Sequence, residues 1–198
     1  MPKIVDHEQR RREVAAAVLP LVARDGLAAV TLKSVATDAG WSTGVVNHYF
    51  DGKADLIAAA VEYGLEALLN HSLGAAEEPD CRAALAGVMC ARLPLDPMSE
   101  AMTRVKIAFL AEAVLDDRLT VIMTTHQMAW RQLLTDIVER GVESGELAPD
   151  LDVDYVTETL AALTYGLADQ ALFEAIPRTA QIGLVERWIP DTVGGPRD

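Results

Sequence analysis

The sequence predicts an all-α protein of about nine helices, with an N-terminal three-helix helix-turn-helix domain and a larger C-terminal helical domain. Nearly every segment of the 198 residues has apolar side chains at helical spacing, and none alternates convincingly as a half-buried strand would. Glycine, proline and capping residues separate these segments. Hydrophobic residues make up 51% of the chain, which suffices for a core and excludes a disordered protein.

The first three helices are well delimited by local signals, and the second and third are short. The first is predicted over about 7–24, where Pro20 interrupts the pattern and predicts a kink. Thr31 is an N-cap for a second helix over 32–39, and Gly40 stops it. Ser42 caps a third helix that ends near Phe50.

Six further helices follow along the chain. They are predicted over about 53–73, 81–92, 99–115, 119–143, 153–175 and 178–189. Pro94 and Pro97 are expected to break the chain before the sixth helix, and the stretch 145–152 is expected to form a turn.

The second and third helices together predict a DNA-binding motif. Two short helices joined by a tight turn that contains glycine form a helix-turn-helix, whose second helix enters the major groove. Val46 and Phe50 are four residues apart and should pack inward against Val35 and Leu56. The other faces of the third helix therefore remain available to a partner.

Those faces carry small and hydrogen-bonding side chains suited to DNA. Gly44 permits close approach of the backbone, Thr43 and Val45 offer methyl groups to thymine, and the other polar residues can reach bases or phosphates. Each residue alone could be an ordinary surface position, but the ordered set favours DNA contact. The predicted DNA-binding residues are Thr31, Lys33, Ser42, Thr43, Gly44, Val45, Asn47, His48, Tyr49 and Lys53.

The net charge of −13 lies outside the first quarter of the chain. Residues 1–55 hold seven Lys and Arg and seven Asp and Glu, whereas residues 56–198 hold ten against 23. This asymmetry indicates a neutral to locally basic module carried by an acidic body. The run Arg10-Arg11-Arg12 has two equally good interpretations, as a phosphate-binding patch or as a solvated helix face.

Several function classes are not supported by the sequence. No Gly-rich phosphate loop, metal-ligand cluster or nucleophile motif is found, so we expect no catalytic residue, cofactor or metal and no enzyme. No apolar run reaches the roughly 20 residues of a membrane span, and the N-terminus lacks a secretory apolar segment. We expect a cytoplasmic protein with reduced Cys81 and Cys90 and no membrane partner.

The segment 40–56, GWSTGVVNHYFDGKADL, closely resembles the recognition segment of TetR-family transcriptional regulators, and 26–36 resembles their link between the first two helices. The Ser-Thr-Gly-x-x-x-His-Tyr-Phe form is most similar to the branch of the choline-responsive betaine-gene repressor. Trp41 and Asn47 depart from the family pattern. The resemblance implies a DNA-binding domain over 8–68 and a ligand-binding and dimerisation domain over 80–190.

The resemblance further implies a ligand-responsive regulator, expected to be a repressor, that binds a palindromic operator as a homodimer and is released by a small-molecule effector. Dimerisation is expected through the eighth and ninth helices. The eighth helix supports this independently, because Leu160 and Leu167 lie on one side while Phe173 adds apolar surface elsewhere. The alternatives are a small helical enzyme or an adaptor that has lost DNA binding.

Candidates for contact with the effector are aromatic and polar residues on helices six to eight. They are Phe109, Met123, His126, Trp130, Tyr165 and Asp169. Core packing is the stronger interpretation for His126 and Trp130. A choline-like ligand would need an aromatic cage around its ammonium group, and 5% aromatic residues provide few walls for one.

Overall fold

The computed structural model describes residues 5–174 and 176–194, and within these ranges it contains nine α-helices, one short 3-10 helix and no strand. The all-α prediction is therefore confirmed. The helices are α1 (Val5–Asp25), α2 (Leu32–Asp38), α3 (Thr43–Tyr49), α4 (Lys53–Ala76), α5 (Cys81–Cys90), α6 (Pro97–Ala113), α7 (Asp117–Ser144), α8 (Val153–Glu174) and α9 (Arg178–Val193).

The predicted helix ends are correct to within a few residues, and the differences have local causes. A 3-10 helix at Leu27–Ala29, which was not predicted, follows α1. The prediction that Pro97 breaks the chain was wrong: α6 begins at Pro97, where the missing N–H costs no helical hydrogen bond. The chain continues helically through Pro190 to the end of α9. Ala175, the predicted end of the eighth helix, lies outside the described residues.

The chain forms two compact units. The first contains the residues up to 67 together with 104–125, and the second contains 68–103 together with the residues from 126 on. In the first unit, α1, α2 and α3 pack on one another around fully buried Val14, Val35 and Val46. Leu56 of α4 is also fully buried, so the predicted inward-facing set lies in a core.

The second unit has its own apolar core. Helices α5, α8 and α9 pack together, and Trp130 of α7 is fully buried among residues such as Leu85, Met89 and Leu160. Cys81 and Cys90 form no disulfide. Among the described residues, no helix combines the length and apolar character needed to cross a bilayer.

Candidate DNA-binding site

The turn between α2 and α3 is fixed by backbone hydrogen bonds. Gly40 has a positive φ of 71°, which few residues other than glycine tolerate. Its N–H donates to the Thr37 carbonyl, and the Trp41 N–H donates to the Ala36 carbonyl at 2.8 Å. These two bonds form a Schellman motif that ends α2 and sets the direction in which the chain enters α3.

Both helices of the motif have side-chain caps at their N-termini. The Thr31 Oγ1 accepts from the Ser34 N–H, and the Ser34 Oγ accepts from the Thr31 N–H, each at 2.9 Å. The Ser42 Oγ accepts from the Val45 N–H at 3.3 Å. Thr31 and Ser42 therefore already have structural roles, and each remains exposed at its helix N-terminus, where free N–H groups attract anions.

Helix α3 buries one side and exposes the others. Val46 is fully buried and Phe50, its C-cap, is nearly so. Thr43, Gly44, Asn47 and His48 are exposed, as is Val45 with 38% of its surface open. The helix thus presents a contiguous surface of small and hydrogen-bonding groups, which is what readout of base edges requires.

Tyr49 differs from the other predicted contacts because its ring belongs to a cluster. It is half-buried, and its ring centre lies 4.8 Å from that of His7 on α1 and 5.1 Å from that of His48. His7 was not predicted as part of the site, and no local sequence pattern links it to residues about forty positions away. The cluster restricts the rotamers of His48 and Tyr49 at the exposed end of α3.

Arg11 holds the C-terminal end of α3 in place. Its guanidinium donates to the Tyr49 carbonyl, lies 4.3 Å from the centre of the Phe50 ring, and forms two hydrogen bonds with the Asp55 carboxylate at 2.8 and 3.1 Å. Arg118 donates to the same carboxylate at 3.0 Å. The Arg11 hydrogen bonds are the main cause that lowers the pKa of Asp55 to about 2, and partial burial opposes them.

The basic run at the start of the chain is therefore neither a free phosphate-binding patch nor simply solvated. Arg11 is a positioning residue, and Arg10 and Arg12 form ion pairs with Glu13 and Glu66, both at 2.6 Å. Such exposed pairs contribute little stability and exchange readily. Sequence analysis could not anticipate them because two of the three acidic partners lie on α4.

Lys33 and Lys53 are the predicted cations of the site, and both are exposed. No ion pair found among the described residues includes either one, although the Lys53 Nζ reaches the Leu27 carbonyl at 3.5 Å. Each lies in the first turn of its helix, α2 and α4. These two exposed ammonium groups, each beside a helix N-terminus, can bind phosphate oxygens.

The six predicted effector contacts are divided between the two units. Phe109 and Met123 are buried in the first unit, and the other four, His126, Trp130, Tyr165 and Asp169, belong to the second. Trp130 is fully buried, and its ring centre lies 5.2 Å from that of the half-buried Tyr165. Their role in ligand binding stays a prediction.

One residue of this region was missed by sequence analysis. Arg92 follows α5, and its guanidinium lies 4.9 Å from the centre of the Trp130 ring. The pKa of Arg92 is lowered to about 10, mainly because the guanidinium is buried. The side chain therefore stays charged at neutral pH. The sequence feature that could have pointed to Arg92 is that it is the one charged residue in the apolar stretch 83–95.

Comparison with known proteins connects both units to one family. Residues 15–60 match the model of the bacterial regulatory proteins of the tetR family, and residues 81–194 match the model of the BetI-type transcriptional repressor C-terminal region. The HTH-type transcriptional regulator BetI of Paraburkholderia phymatum is 32% identical over 118 residues. That match covers 58% of this chain and 59% of the relative.

Solved structures share the fold. A transcriptional regulator from Rhodococcus sp. RHA1 has a TM-score of 0.81 at 24% identity, covering 92% of this chain and 95% of its own. A transcriptional regulator from Saccharomonospora viridis, in complex with choline, has a TM-score of 0.78 at 20% identity, covering 93% and 95%. Because the C-terminal model alone spans more than half of the sequence, the chain belongs to the tetR family of bacterial regulators, with a BetI-type repressor C-terminal region.

Proposed function

We propose that this protein is a ligand-responsive transcriptional repressor that binds a palindromic DNA operator as a homodimer. The domain of 8–68 contacts DNA, and the domain of 80–190 binds the effector and forms the dimer. The observation that carries the proposal is the exposed surface of α3, from Thr43 to His48, on a helix whose two ends are fixed by the Ser42 cap and by Arg11. An exposed helix face of this composition, on a helix capped at both ends, fits a major groove.

A dimer is required because one seven-residue helix contacts too few bases to select an operator. On α8, Tyr155 and Phe173 expose 67% and 80% of their surfaces, and the exposed Ala162 and Gly166 lie between them. These four residues follow the spacing of one helix face. We infer that this face packs against a second copy of α8, with small residues at the centre allowing close approach.

Helices α4, α6 and α7 each contain residues of both units, so a change at an effector site in the second unit can reach the first along continuous helices. To release the operator, an effector must favour the non-binding state by several kcal/mol. The repressor hypothesis also predicts that binding, not catalysis, is the activity of the second unit.

Selection of DNA from a random duplex pool tests the proposal without knowledge of the operator. Purified protein is mixed with the pool, bound DNA is recovered, and the sequences enriched over several rounds are read. The proposal predicts an inverted repeat with half-sites in register with a two-fold dimer. Enrichment of no sequence would favour an adaptor that has lost DNA binding.

A further inference from the structure

We propose that Arg92 forms a binding site for the carboxylate of a small organic acid, with the Trp130 indole N–H as a further hydrogen-bond donor. This inference rests on the proposed effector function of the second unit and names the chemical class of the effector. Both residues belong to that unit. The site is distinct from the aromatic cage that a quaternary ammonium ligand needs.

Among the described residues, no acidic side chain forms an ion pair with the Arg92 guanidinium. Its Nε and Nη2 atoms are buried, and neither has a hydrogen-bond acceptor among the described residues. A buried cation with two unsatisfied donors is costly to maintain, since water can no longer solvate it. An anionic ligand would supply both the missing charge and the missing acceptors.

The geometry of the donors favours a carboxylate. Two adjacent N–H groups of a guanidinium match the two oxygens of a carboxylate, which binds them in a fork. The Trp130 Nε1 is likewise buried and without an acceptor among the described residues, so it offers a further donor. The half-buried Tyr165 ring, 5.2 Å from the Trp130 ring, supplies apolar surface for the body of the ligand.

The same arrangement disfavours a cationic ligand. An ammonium group binds the open face of an aromatic ring, but the Trp130 ring already has the Arg92 guanidinium 4.9 Å from its centre. The Tyr165 ring has the Arg131 guanidinium at 5.8 Å. Arg131 is paired with Glu158 at 2.9 Å, whereas Arg92 has no such partner in the described residues. A cationic ligand beside these two guanidinium groups would be repelled.

A ligand can reach Arg92 because the residue is not completely enclosed. Arg92 as a residue is only half-buried, although its Nε and Nη2 are closed to solvent. It lies in the turn that follows α5, where its N–H donates to the Met89 carbonyl at 3.0 Å. A turn residue can shift its side chain at lower cost than a residue inside a packed helix.

Matched ligand pairs test the charge preference. Thermal unfolding and isothermal titration calorimetry are run with phenylacetate and benzyltrimethylammonium, and with hexanoate and hexyltrimethylammonium, each at about 5 mM. The proposal predicts that at least one carboxylate binds and raises the Tm, and that its ammonium counterpart does not. Binding of the ammonium series alone, or of neither series, would overturn it.

Arg92→Met separates a binding role from a structural one. Removing an uncompensated buried charge should leave the Tm of the ligand-free protein unchanged or raised, while affinity for the carboxylate falls at least about tenfold. Arg187→Gln, at an exposed position of α9, is the matched control and should keep wild-type affinity. A lower ligand-free Tm with carboxylate affinity retained would assign Arg92 a structural role instead.

The proposed function is tested separately from this site. Operator binding by Arg92→Met in the absence of ligand should equal that of the wild type, because the site belongs to the second unit. If the wild type selects an operator but no carboxylate binds, the effector inference fails and the repressor proposal stands. If carboxylates bind through Arg92 but no DNA is selected, the repressor proposal fails.

Discussion

The Arg11 guanidinium on α1 and the Asp55 carboxylate on α4 form a two-bonded ion pair, with N–O distances of 2.8 and 3.1 Å. The same guanidinium donates to the Tyr49 carbonyl at the end of α3. One arginine therefore joins three helices of the first unit. The pair should stabilise the fold more than a fully exposed ion pair does, because both side chains are partly buried and the geometry is bidentate.

Replacing Asp55 by Asn should destabilise the protein by about 1–2 kcal/mol at neutral pH, since Arg11 and Arg118 lose their shared carboxylate. Urea unfolding followed by circular dichroism measures the change. Glu62→Gln, at an exposed position on the same helix, is the control and should be nearly neutral. Equal stability of the two variants would refute the role given to the pair.

The Asp55 pair also predicts a pH dependence. The pKa of the Asp55 carboxyl is lowered to about 2 in the folded protein, from about 4 in the unfolded chain. The stabilising contribution of the pair is therefore complete above about pH 4 and is lost as the pH falls towards 2. The difference in unfolding free energy between wild type and Asp55→Asn should therefore shrink across that window. A difference that stays constant from pH 7 to about pH 2.5 would contradict this assignment.

Ser42 offers a way to separate helix capping from DNA contact. Ser42→Ala removes the acceptor for the Val45 N–H and should cost about 1 kcal/mol of stability. Ser42→Asp keeps an acceptor and should restore stability, but it places a negative charge where a phosphate is expected and should weaken DNA binding. Urea unfolding and DNA titration of both variants check the two effects; parallel changes in both quantities would show that Ser42 acts through stability alone.

Gly141 of α7 lies where no larger side chain fits. A Cβ atom there would be 2.6 Å from both Cγ and Cδ1 of Leu147 and 3.2 Å from Cβ of Cys81. Gly141→Ala should therefore destabilise the protein by about 1–3 kcal/mol despite the better helix propensity of alanine. Gly74→Ala, which meets nothing within 4 Å on α4, should instead stabilise it by about 0.5–1 kcal/mol.

The dimer is tested at Gly166, the small residue at the centre of the exposed α8 face. Nothing lies within 4 Å of a Cβ built there, so Gly166→Arg should fold normally as a protomer. In a dimer it would place a charge in the contact between two copies of α8, and sedimentation velocity should show a monomer. Gly74→Arg is the control and should sediment as the wild type does. A dimeric Gly166→Arg would move the interface elsewhere.

The sequence predicted the helices well because their ends depend on local chemistry. The Thr31 and Ser42 caps and the Gly40 stop each act within a few residues, and all three lie where they were expected. The pairing of Arg11 with Asp55 spans 44 residues, and the contact of Arg92 with Trp130 joins the turn after α5 to α7, so no local pattern could reveal either. Burial of Trp130 agrees with its alternative interpretation as core packing.

The most direct test of the account is a fluorescence anisotropy titration of the DNA upstream of the protein's own reading frame. Wild type, Thr43→Ala/His48→Ala and the control Thr125→Ala/His71→Ala, which alters the same residue types at exposed positions elsewhere, are compared at fixed salt. The account predicts tight binding by wild type and control, and a loss of at least about tenfold for the α3 variant, because each base contact contributes about 1–3 kcal/mol. Unchanged affinity of the α3 variant, with its fold intact by circular dichroism, would contradict the claim that α3 binds DNA.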